Sequence, residues 1–153
     1  MDYGDHVSAI GAKLREFSPE AEWVPEVGFA ERRLGFGATL DAHWDFADAG
    51  ELWICDFKSR EFEGKDLEKK GTTPKPYDKD ILQIGAQAML AGSHYGAKHV
   101  KAANLYFSRT HPGVTHLHTY TEDEVSRAAT AFLHLYEVWT WVKGYDPRIV
   151  GLN

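Results

Sequence analysis

The sequence predicts one α/β (α+β) domain, built on a central mixed sheet of about five strands flanked by helices. Two observations carry this. The apolar period changes along the chain in the order helix, three strands, helix, two strands, helix. No repeat and no linker-like stretch interrupts it, and 153 residues suit a single domain, 1–153, with a real core.

Taken in order, Val7, Ile10, Leu14 and Phe17 are spaced as one stripe of a helix over residues 5–17, which Ser18-Pro19 ends. Residues 22–30, EWVPEVGFA, are rich in strand formers, and Pro25 marks an edge strand or irregular start. Residues 36–46 and 51–59 read as two further strands, with Ala47-Asp48-Ala49-Gly50 as a hairpin turn between them. The polar stretch 60–76 reads as a mobile loop. A helix follows over 77–92, with Asp78 as N-cap and Gly92 near its end. Strands are predicted over 101–109 and 115–121, turned by Pro112-Gly113. Thr121 and Glu124 then form a capping-box pattern that starts a long helix ending at Gly144.

Composition narrows the function classes. No apolar run approaches the roughly 20 residues of a membrane span. The N-terminal stretch lacks a basic segment followed by an apolar one, so no signal peptide is expected. Cys55 is the single cysteine, which excludes an intrachain disulfide framework and fits a cytoplasmic compartment. A net charge of −6 argues against nucleic-acid binding through overall positive charge. Basic residues nevertheless concentrate between Lys58 and Lys79, which hold seven of the 17.

The hairpin carries the first chemical signal. If Phe46 pairs with Glu51, paired numbers sum to 97 and Asp41 lies opposite Asp56; if the turn slips to Ala49-Gly50, Asp41 lies opposite Lys58. In either of these registers Asp41, Asp56 and Lys58 share a face, because strand side chains alternate; a sum of 98 would separate them. Opposed carboxylates repel at a Cβ separation of about 5 Å. A hard divalent cation such as Mg²⁺ or Mn²⁺ relieves that repulsion. A lysine beside it can serve an attacking water or a developing phosphorane charge.

The pattern GATLDA, then DFKS after 14 intervening residues, then a helix containing LQIGAQAML, resembles the PD-(D/E)XK nuclease superfamily, and within it the RecB-like exonuclease branch. The resemblance covers about residues 4–90. It implies a restriction-endonuclease-like core and a divalent-metal-dependent DNA nuclease hydrolysing phosphodiester bonds, most simply an exonuclease. A structure-specific or restriction-type endonuclease on the same core is the alternative enzyme, and a nucleic-acid-binding module without catalysis is the alternative of another class. Asp41 and Asp56 match the metal-binding acids, Lys58 the catalytic lysine and Gln83 the helix glutamine. His6 falls where the family histidine ligand sits, Glu26 where a further carboxylate sits, and Phe57 would lend its backbone carbonyl to the metal. Ser59 and Arg60, the basic residues Lys65, Lys69, Lys70, Lys75 and Lys79, and Gln87 are the expected DNA contacts. Gln87 stands where many relatives have tyrosine. The four cysteines of iron–sulfur relatives are absent, so one or two Mg²⁺ or Mn²⁺ ions and no cluster are expected. A homo-oligomer, or a partner protein from a recombination or replication system, is compatible with the resemblance. If the chain is viral, its compartment is the host-cell cytoplasm.

Overall fold

A computed structural model describes residues 3–46 and 50–149, with the side chain of Phe46 excepted. The elements are α1 (Gly4–Phe17), β1 (Val24–Glu31), β2 (Phe36–Phe46), β3 (Glu51–Arg60), α2 (Gly64–Glu68), α3 (Asp78–Tyr95), β4 (His99–Ser108), β5 (Thr115–Tyr120) and α4 (Glu122–Lys143). The five strands form one sheet in the order β1-β2-β3-β4-β5. Only β3 and β4 run parallel, and the chain between them passes through α2 and α3. This is the predicted α/β (α+β) architecture with a five-stranded mixed sheet. Among the described residues, no helix is long and apolar enough to cross a membrane.

Two apolar layers hold the sheet. One, with Leu40, Leu52, Ile54 and Ala102 from the strands, packs against Ile84, Ala88, Leu90 and Ala91 of α3 and Val125 of α4. The other, with Ala42, Cys55, Ala103 and Leu105, packs against Leu14 and Ile10 of α1. The buried stripe of α1 runs through His6, Ile10 and Leu14 at four-residue spacing, whereas Val7, expected in the stripe, faces solvent. Cys55 is a free, buried thiol whose ionisation burial suppresses strongly.

Helices α3 and α4 approach closely at Gly85. A Cβ there would lie 2.5 Å from the main chain of Ala128 and Ala129, so only glycine fits this crossing. Gly35, with φ 75, turns the chain between β1 and β2, and Tyr136 of α4 donates to its carbonyl at 3.1 Å.

Several boundaries move. Residues 60–76 are not loop throughout, because α2 forms there with Asp66 accepting from the Glu63 N–H at 2.8 Å. Helix α3 begins at Asp78 but is not capped by it: Asp80 reaches back to the Tyr77 N–H at 3.0 Å. The helix runs past Gly92 to a left-handed Gly96. At α4 the expected box holds, with Glu124 N–H donating to Thr121 Oγ1 at 3.2 Å and Gly144 closing the helix at φ 60. In the predicted 47–50 turn, residues 47–49 lie outside the described residues.

Candidate active site

The β2–β3 register is the first of the two weighed: Ala42 pairs with Cys55 and Phe46 with Glu51, which sets Asp41 level with Asp56. The ladder stops there. Below Ala42, β2 pairs only with β1, down to Phe36; beyond Cys55, β3 pairs only with β4, out to Arg60. The sheet therefore splits between β2 and β3, and strand faces change at the split. Leu40 packs in the α3 layer and Ala42, two residues on, in the α1 layer. Simple alternation through Asp41 does not hold.

Main-chain groups freed by a split must find other partners. Asp41 Oδ2 accepts from the Phe57 N–H at 2.6 Å. Gln87 Nε2 donates to the Thr39 carbonyl at 3.0 Å. One carboxylate and one amide thus stand in for the missing ladder.

Asp56, 2% exposed, projects toward α3 at this split. Its Oδ2 lies 2.5 Å from Lys58 Nζ and accepts from Asn104 Nδ2 at 2.9 Å. Its Oδ1 accepts from Gln83 Nε2 at 2.9 Å, with Gln87 Nε2 farther off at 3.5 Å. Gln83 Oε1 in turn accepts from Lys58 Nζ at 2.9 Å, closing a triangle of Asp56, Lys58 and Gln83. Burial pushes the Asp56 carboxyl above its ordinary value, Lys58 pulls it back, and the charge of Asp41 adds to the rise.

Asn104 and Tyr120 are site residues that the sequence reading missed. The parallel register places Asn104 beside Asp56, and the Tyr120 hydroxyl donates to Asn104 Oδ1 at 2.5 Å. Asn104 is fully buried, so Asp56 is fixed from β4 as well as from α3. The signal was present in KAANLYFS, where one amide interrupts an apolar strand.

Other expected site residues lie elsewhere. His6 lies on the buried face of α1, its ring 5.7 Å from that of Phe107. Glu26 is exposed on β1 and has a left-handed φ of 46; pairing runs from Pro25 to Val27 around it, level with Asp41. Among the described residues no three His, Cys, Asp or Glu side chains gather as a metal-binding group. A left-handed non-glycine residue is strained by about 1 kcal/mol or more. Glu26→Gly is therefore expected to raise the melting temperature by about 2–4 °C, read by calorimetry.

Arg60 is not free for a phosphate. It pairs with buried Asp80 at 2.6 Å, and its guanidinium lies 4.3 Å from the Tyr77 ring centroid, fastening the end of β3 to the start of α3. Gln87, expected at DNA, is buried and braces the split. Lys65 pairs with Glu63 on α2. Ser59, Lys69, Lys70, Lys75 and Lys79 are exposed.

The donor set suits a hard cation. Two carboxylates, Asp41 and Asp56, stand at the split, with no His or Cys grouped with them among the described residues, and Mg²⁺ takes one or two carboxylates while keeping several waters. Zinc, which favours three or four protein ligands including His or Cys, does not fit. No protein-family model and no curated protein matches the chain.

Proposed function

We propose that this chain is a divalent-metal-dependent DNA nuclease of the PD-(D/E)XK type with a restriction-endonuclease-like core, most simply a RecB-like exonuclease. The observation that carries the reading is the triangle of Asp56, Lys58 and Gln83 at a split in the sheet, with Asp41 across it. The charge of Asp41 adds to the cost of ionising buried Asp56, and a bound cation would offset that cost.

Asp41, Asp56 and the Phe57 carbonyl would hold Mg²⁺ or Mn²⁺. The ion would polarise a phosphate oxygen and lower the pKa of a bound water. Lys58 supplies a positive charge that orients the nucleophilic water and stabilises negative charge developing on phosphorus. Gln83 fixes the lysine by accepting from it while donating to Asp56. Asn104 holds the Asp56 carboxylate from β4, and Tyr120 holds Asn104 in turn. The exposed Lys69, Lys70, Lys75 and Lys79 would follow the phosphate backbone.

The test is Mn²⁺-dependent cleavage by the purified protein, with linear and closed circular DNA in parallel. Degradation of linear DNA alone supports the exonuclease reading, cleavage of both the endonuclease reading, and cleavage of neither contradicts the proposal.

A further inference from the structure

Gln83 belongs to two places at once. It bonds Asp56 and Lys58, and it also lines a groove of about 730 Å³ between α3, α4 and the β1–β2 turn. The rest of the wall is mostly apolar, formed by Phe36, Leu82, Phe132, Tyr136 and Trp139. The Phe132 and Tyr136 rings are within 12° of parallel, and those of Tyr136 and Trp139 within 11°, so α4 carries a stacked aromatic row along the groove that ends at Trp139, while Tyr136 itself is buried. Trp139 is 42% exposed, and Lys79, also on the wall, supplies a cation.

We propose that this groove seats the unstacked bases of a single-stranded nucleic-acid end. The inference rests on the nuclease reading for the phosphate that Asp56 and Lys58 would engage. An aromatic, mostly apolar wall is complementary to the faces of nucleobases and not to a phosphate backbone. Bases inside a duplex turn inward and stack on one another, so they cannot enter. Continuity through Gln83 makes the groove a path to or from the reacting phosphate, and Lys79 meets the backbone at its side. The substrate class is therefore a strand with a free or frayed single-stranded end.

The test measures binding apart from cleavage. Fluorescence anisotropy in Ca²⁺ buffer at low salt compares a labelled single-stranded oligonucleotide, a blunt duplex and an abasic strand of equal length, with probe integrity checked on gels. The wild-type protein should bind the single strand about tenfold or more tighter than the abasic strand. Trp139→Ala should remove most of that difference, Trp139→Tyr should restore it, and neither should alter abasic binding. Leu135→Glu, at an exposed position on the groove wall, should weaken single-strand binding as well and serves if Trp139→Ala misfolds. Equal binding of single and abasic strands overturns the proposal. So does unchanged binding by the groove variants, including the case in which they lose only self-association in sedimentation. Base-dependent binding without any Mn²⁺-dependent cleavage would count against the nuclease reading and leave the groove assignment standing.

Discussion

Lys58→Met is expected to lower cleavage by about 10²–10³-fold or more, the scale on which loss of one preorganised electrostatic group acts. The side chain retains much of the lysine's apolar stem, so the loss isolates the ammonium that now lies 2.5 Å from Asp56 and 2.9 Å from Gln83. The same substitution has a pH signature without metal. Burial already drives the Asp56 carboxyl above 3.8, and Lys58 is the strongest opposing influence. With Lys58 gone, folded Asp56, which already holds its proton to higher pH than the unfolded chain does, holds it to higher pH still. The folded state then binds more protons in the window above 3.8, so stability falls as pH rises through it, up to the raised folded value. Urea melts of variant and wild type across pH 4–8 read this. A variant that cleaves normally, or whose stability tracks the wild type at every pH, contradicts the assigned role.

Gly85→Val should act through the fold. The added Cβ would meet the main chain of α4 at 2.5 Å, and main chain cannot swing aside as a flexible side chain can. Overpacking of this kind costs about 3 kcal/mol, which for a domain of this size lowers the melting temperature by about 6–12 °C. Because Gln83 and Gln87 flank Gly85 on α3, separation of the two helices would also disturb the Asp56 contacts and the β2–β3 split. Gly85→Ala should do the same to a smaller degree. An unchanged melting temperature would mean that the helices can part at no cost.

What the sequence revealed follows from which interactions are local. Asp41, Asp56 and Lys58 lie on two strands joined by a short turn, and a short turn permits few registers. Asn104 and Tyr120 escaped because they meet Asp56 across β4. That strand runs parallel to β3 after a long crossover, and no turn fixes a parallel register in advance. Arg60 reads as a DNA contact because a charge run taken alone has no partners. Asp80 becomes its partner only once α3 docks on the sheet. His6 is buried for a related reason: its spacing places it beside an apolar stripe, while packing makes it part of that stripe. Periodicity showed that α1 is amphipathic but misjudged its angle, leaving Val7 outside. Helix α2 is too short to show a period at all.

In the proposed nuclease, Asp56 is a metal-binding acid of a phosphodiesterase site and not a buried structural carboxylate. Asp56→Asn keeps the shape of the side chain and can still bond Gln83 and Asn104 after amide rotation. The direct measurement is Mn²⁺-dependent cleavage of end-labelled DNA by wild-type and Asp56→Asn protein, each first shown to be folded by its thermal melt. Cleavage by the wild type, stopped by EDTA and lost in Asp56→Asn, is the predicted result. Equal cleavage by both proteins, or none by the wild type, would contradict the account.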